Sequence, residues 1–120
     1  MKQIAVVEDN EDNRLLAQAL LEDQYEVTEY ANGPDALQGM ARKLPDLVLL
    51  DISLPEMDGS EVLQRMRNHP QLVNVPVIAL TAHAMAGDRD RFLQAGFDAY
   101  VTKPIVDEAR LLEEIDRLLP

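Results

Sequence analysis

The sequence predicts an α/β domain in which a parallel sheet carries helices on both faces. Three observations support this reading. Five short apolar runs alternate regularly with segments of helical period. Turn and cap residues fall between the two kinds of segment. The 120 residues contain no repeat, low-complexity tract or linker that would divide them. Five consecutive βα units leave a sheet whose apolar strands must be covered on both sides.

The elements follow in order along the chain. "QIAVV" (Gln3–Val7) is the first strand, and Asn10 or Asp12 is placed to cap the helix "NRLLAQALLED" behind it. "EVTEY" (Glu26–Tyr30) is the second strand. Pro34 suits the first turn of the next helix, "PDALQGMARKL". Pro45 blocks any helix before the third strand, "DLVLL" (Asp46–Leu50). In "DGSE", Asp58 is followed three residues later by Glu61, a variant capping box opening the helix "SEVLQRMRN". Pro76 precedes the fourth strand, "VIALT" (Val77–Thr81), and Gly96 reads as the stop of the helix that contains "DRDRFLQAG". Gly87 lies inside "AHAMAGDRDR", so a fourth helix running through it should be loosely held at its start. "AYVT" (Ala99–Thr102) is the fifth strand. In the final "EARLLEEIDRLL", Leu111, Leu112, Ile115, Leu118 and Leu119 make one apolar stripe.

Composition excludes several function classes. At 47% hydrophobic the chain can bury a core, whereas its longest apolar runs are too short for membrane insertion. The opening "MKQIAVVEDN" lacks the extended apolar region of a signal peptide, which points to the cytoplasm. No cysteine is present, so disulfides, thiolate metal sites and thiol nucleophiles are out. Twenty-two acids against 11 bases give a net charge of −11, without the basic footprint that direct nucleic-acid binding requires. Most of these acids are expected to be solvated helix faces. Those at strand ends need another explanation.

Parallel α/β sheets bind ligands beyond the carboxyl ends of their strands. There the sequence places Glu8 and Asp9 after strand one, Asp51 after strand three, Thr81 at the end of strand four, and Lys103 with Pro104 after strand five. Clustered carboxylates repel unless a cation compensates. An all-oxygen donor set favours a hard ion, and an incomplete acidic site of this kind suits Mg2+. An aspartate nucleophile, such an ion, a lysine and a hydroxyl form a set for phosphoryl transfer to a carboxylate.

The pair Glu8-Asp9, "DISLPEMDG", Thr81-Ala82 and Lys103-Pro104, in this order, resemble the receiver domain of two-component response regulators across essentially the whole chain. "VEDNEDNR" and "LTAHAM" are similar to single-domain receivers and to those of hybrid kinases. The resemblance implies a flavodoxin-like fold with strand order 2-1-3-4-5 and one receiver domain over residues 1–120 with no output domain. It implies that Asp51 takes a phosphoryl group from a phosphohistidine of a histidine kinase or phosphotransfer protein. Mg2+ (or Mn2+) would be held by Glu8, Asp9, Asp51 and the backbone carbonyl of Ser53. Thr81 and Lys103 would contact the phosphoryl group, and Tyr100 would be the aromatic switch. The bond before Pro104 would be cis, and Ala82 would leave access to the phosphoryl group. Ser53 and His83 occupy positions associated in the family with phosphoryl lifetime. The surface of helix four, strand five and helix five would answer to a downstream protein target. The protein would be a signalling phosphoacceptor rather than an enzyme, monomeric, with a phosphorylation-driven dimer as the alternative.

Competing readings fail on spacing. A phosphatase of the haloacid-dehalogenase type needs D-x-D-x-T, where this chain has "DISLP". A flavodoxin phosphate loop would be rich in hydroxyls and glycine, whereas "EDNEDN" would repel a phosphate unless a cation intervened. An EF-hand loop started at Glu8 would place Asn13 at the required glycine and Ala19 at the final acid.

Overall fold

The computed structural model describes residues 1–82, 87–103 and 108–119. Strand and helix alternate through β1 (Gln3–Val7), α1 (Glu11–Leu21), β2 (Glu26–Tyr30), α2 (Gly33–Arg42), β3 (Leu47–Asp51), α3 (Gly59–Arg67), β4 (Val77–Thr81), α4 (Asp88–Ala95), β5 (Ala99–Thr102) and α5 (Glu108–Leu118). All the strand pairs are parallel, in the order β2-β1-β3-β4-β5. Fold class and strand order are therefore as expected.

Side chains alternate between two cores because strand side chains have a period of two. Ala5 and Val7 of β1, Val48 and Leu50 of β3, and Val77 and Ala79 of β4 pack with Ala36, Met40, Val62, Leu63, Met66 and Phe92, which belong to α2, α3 and α4. Ile4, Val6, Leu47, Leu49, Ile78, Leu80 and Val101 pack on the other face, with Ala17 and Leu21 of α1 and Leu111 and Ile115 of α5. Leu112, Leu118 and Leu119 complete the α5 stripe as partly buried neighbours of that second core. Every residue of β3, the central strand, is buried.

Helix starts are set by side-chain caps that satisfy otherwise orphaned N–H groups. Asn10 accepts from the N–H of Asn13 at 3.0 Å, which decides between the two candidate caps of α1. Asn32 caps α2 through the N–H of Asp35 at 2.8 Å, and Asp58 caps α3 through the N–H of Glu61 at 3.0 Å. Gly96 ends α4 with φ 110, in the left-handed region that glycine enters freely. Gly87 differs from expectation: it is the N-cap of α4 at φ 90 and not an interior residue. A positive φ cannot continue a right-handed helix, so the glycine sets the boundary of α4 instead of weakening its middle. Residues 83–86, on which the rest of that expectation bears, lie outside the described residues.

The amino edge of the sheet is tied together by Arg67. Its guanidinium donates to the carbonyls of Val73 (3.1 Å), Val75 (2.8 Å) and Gly96 (3.0 Å) and to Asp98 Oδ2 (3.2 Å). Asp98 Oδ2 also accepts from the N–H of Val77 at 2.8 Å. These bonds fix where β4 and β5 begin, and thus where their opposite ends emerge.

Candidate functional site

Strand register alone brings the site residues together. β1 and β3 align Val6 with Leu49 and Val7 with Leu50, so one further step sets Glu8 opposite Asp51. Glu8 follows Ile4 and Val6, Asp51 follows Leu47 and Leu49, and Lys103 follows Val101. All three therefore continue rows that face α1 and α5. Backbone bonds extend the ladder past the strands: Glu8 N–H to Tyr30 O (3.0 Å), Ile52 N–H to Leu80 O (3.1 Å) and Lys103 N–H to Thr81 O (2.7 Å). Rigid strand ends rather than loose loops hold these groups.

The side chains form a connected cluster. Lys103 Nζ donates to Asp51 Oδ2 at 2.9 Å and to Glu8 Oε1 at 3.2 Å. Asp51 Oδ1 accepts from the N–H of Ser53 at 2.9 Å. Glu8 and Asp51 are both 0% exposed, whereas Asp9 is exposed at the mouth of the site. One carboxylate oxygen from each of Glu8, Asp9 and Asp51 lies within 4.8 Å of the others. As a carboxylate oxygen, Glu8 Oε2 is buried and accepts no hydrogen bond among the described residues.

Electrostatics separates the roles of the two buried acids. Burial, together with the hydrogen bond to Asp51, raises the Glu8 carboxyl to about 7, against the lowering effects of Asn13 and Lys103. Burial also pushes the Asp51 carboxyl up, but hydrogen bonds from Glu8, the Ser53 N–H and Lys103, with the lysine's charge, outweigh it. The net result lies below the usual aspartate value. Burial disfavours the Lys103 ammonium, yet its bonds and attraction to Asp51 and Glu8 raise it overall. Asp51 is thus an ionised carboxylate, buried at the end of β3. The pocket offers only oxygen donors, one of them orphaned, and that set fits a hard divalent cation.

A model of the response regulator receiver domain matches residues 4–116. The chain belongs to the response regulator receiver family. Among its relatives is the polar-differentiation response regulator DivK of Brucella anthropi, 43% identical over 119 residues, covering 98% of this chain and 96% of that protein. Of the solved structures, the receiver domain of the sensor histidine kinase PA1611 from Pseudomonas aeruginosa is 37% identical with a TM-score of 0.86, covering 98% of this chain and 96% of that one. It carries a magnesium ion coordinated in its active-site cleft. The chemotaxis protein CheY4 of Vibrio cholerae is 26% identical with a TM-score of 0.90 and covers 99% of both chains. The protein is a receiver of two-component signalling, and no helix among its described residues is long and apolar enough to cross a membrane.

Three of the receiver's remaining expected residues, Thr81, Tyr100 and Ser53, are among those described. Thr81 is buried at the end of β4, in register with Thr102 and one step beyond the Leu80 that pairs with Asp51. Tyr100 projects to the α2–α4 side, its ring 5.5 Å from Phe92, with Arg110 5.4 Å above it. Ser53 is exposed and donates its N–H to Asp51. His83 and Pro104 lie outside the described residues.

Three contributors were not singled out from sequence. Asn13 Nδ2 donates to Glu8 Oε1 at 2.6 Å, and Arg14 donates to the Glu8 carbonyl at 2.7 Å. Gly59, the first residue of α3, lies against the backbone of Asp51 and Ile52, so a Cβ there would come 2.6 Å from Ile52 Cα. An N3 asparagine in place of the usual capping-box acid was the legible signal for the first. The loop before α3 also makes a tight turn in which the N–H of Met57 bonds Pro55 O at 2.6 Å and Glu56 has φ 64.

Proposed function

We infer that this receiver works as a phosphorylation-dependent switch or phosphorelay intermediate whose acceptor is Asp51. One observation carries the reading: Asp51 is buried, ionised and held by one backbone N–H and one ammonium, beside an acidic group with an orphan oxygen. Glu8, Asp9 and Asp51, with the carbonyl of Ser53, would hold Mg2+ (or Mn2+). Such an ion would supply charge neutralisation for the acceptor carboxylate and the incoming phosphoryl group. An Asp51 oxygen attacks phosphorus, the P–N bond of a phosphohistidine breaks, and the imidazole keeps the electron pair and takes up a proton. The product is an acyl phosphate on Asp51.

The chain's own groups orient this step. Lys103 leaves its bridge between Glu8 and Asp51 to pair with the phosphoryl oxygens, and the Thr81 hydroxyl donates to one of them. Ser53 N–H keeps the Asp51 carboxylate in line. Movement of Thr81 then lets Tyr100 turn inward, which alters the surface of α4, β5 and α5. A histidine kinase or phosphotransfer protein is the donor, and a downstream protein reads the altered face. Residues 1–120 act as one receiver unit in the cytoplasm.

Incubation with acetyl phosphate and Mg2+ followed by intact-mass measurement tests this proposal. One added phosphoryl group is expected, lost in Asp51→Ala and on chelation. An adduct that survives Asp51→Ala would place the acceptor elsewhere.

A further inference from the structure

Asn13 stands where a helix of this kind ordinarily puts an acid. Asn10 is the cap of α1, so Asn13 is its third residue, a position at which glutamate or glutamine usually reaches back to the cap and negative charge suits the helix dipole. Its amide turns instead out of the helix and donates to Glu8 Oε1 at 2.6 Å, while its own N–H is held by Asn10 at 3.0 Å. Arg14, the next residue, donates to the Glu8 carbonyl at 2.7 Å. The first turn of α1 therefore grips Glu8 at both its backbone and its side chain.

The grip is asymmetric. Oε1 receives Asn13 and also Lys103 at 3.2 Å, whereas buried Oε2 receives nothing among the described residues. A buried acceptor without a partner costs roughly 1–3 kcal/mol, so a carboxylate free to rotate would share its donors between both oxygens. An aspartate at position 13 would repel Glu8, and a lysine would bring in a competing cation. A neutral amide on a capped helix turn avoids both.

We propose that Asn13 is a positioning residue for the divalent cation: it fixes the Glu8 carboxylate by Oε1 and leaves Oε2 as the oxygen for the metal. The inference rests on the metal reading given under Proposed function. Partners of this kind, one bond behind a ligand, typically change metal affinity 10- to 100-fold.

Mn2+ binding to the whole chain, followed by the loss of the free-ion electron paramagnetic resonance signal, tests it without any phosphorylation. Asn13→Ala should weaken binding about tenfold. In a Glu8→Gln background the same substitution should change affinity less than about twofold, because its target is gone. Asn13→Leu gives the same comparison with a branched side chain of similar shape, and thermal melting in chelator checks that each variant is folded. Equal Mn2+ affinity in wild type and Asn13→Ala would overturn the inference. So would equal weakening with and without Glu8, since that would mean Asn13 acts through helix stability alone. Absence of binding to the wild type would remove the metal reading itself, which that arm reports separately.

Discussion

Replacement of Glu8 by glutamine should make the metal-free protein more stable, and only at higher pH. The Glu8 carboxyl is raised from 4.5 to about 7 in the folded chain, first by burial and then by its hydrogen bond to Asp51. Below pH 4.5 the group is protonated in both folded and unfolded chains and contributes nothing. Between 4.5 and about 7 the unfolded chain ionises while the folded one keeps its proton, so stability falls as pH rises. Above that range both forms are ionised and the full cost is present. A shift of this size corresponds to about 3 kcal/mol, or a melting shift on the order of 10 °C for a domain of this length. Glutamine keeps an acceptor for Asn13 and Lys103, offers an N–H toward Asp51, and does not titrate. Melting curves of both proteins by circular dichroism, in chelator from pH 4.5 to 8.5, should diverge up to about pH 7 and then stay a constant distance apart, with Glu8→Gln the higher. A difference that does not change with pH would refute the reasoning, because it would mean that ionisation of Glu8 carries no cost in the fold.

Three other outcomes follow from single contacts. Gly59→Ala should destabilise the fold by about 1–3 kcal/mol in urea titration and slow acetyl phosphate labelling, since the added Cβ presses on the backbone of Asp51 and Ile52. Arg67→Met should destabilise by about 2–3 kcal/mol, because three carbonyls and Asp98 lose a shared donor. That substitution should leave Mn2+ affinity nearly unchanged, as Arg67 lies at the opposite edge of the sheet. Glu56→Gly should stabilise by about 0.5–1 kcal/mol in the same titration: relief of its φ of 64 outweighs the extra freedom of an unfolded glycine.

Periodicity and punctuation made the architecture legible. Apolar runs of strand length between segments of helical period admit one arrangement, a covered parallel sheet. The strand ranges agree with the observed ones except at β3, which runs Leu47–Asp51 instead of Asp46–Leu50. Asp46 lies just before that strand, with its carboxylate accepting the N–H of Gln3 at 2.7 Å, and Asp51 closes it. The cap Asp58 and the stop at Gly96 were equally readable, and Asn10 was one of two candidates, since each acts through its own local hydrogen bonds or dihedral. Gly87 was misplaced because a glycine inside a polar run looks the same whether it weakens a helix or begins one.

By itself the sequence determined which chemistry the carboxyl edge of the sheet would display: two acids after β1, one at the end of β3, a hydroxyl at the end of β4 and an ammonium after β5. Period-two alternation and parallel pairing make that display a consequence of chain order. Only the tertiary structure decided how those groups divide the work. Burial and mutual contact set the buried carboxyls apart, Glu8 raised and Asp51 lowered, although both are acids at neighbouring strand ends. The same packing brought Asn13 and Gly59 against the site from two different helices. Such effects depend on distances between segments far apart in the chain and on the loss of water between them, and neither is a property of a local stretch of sequence.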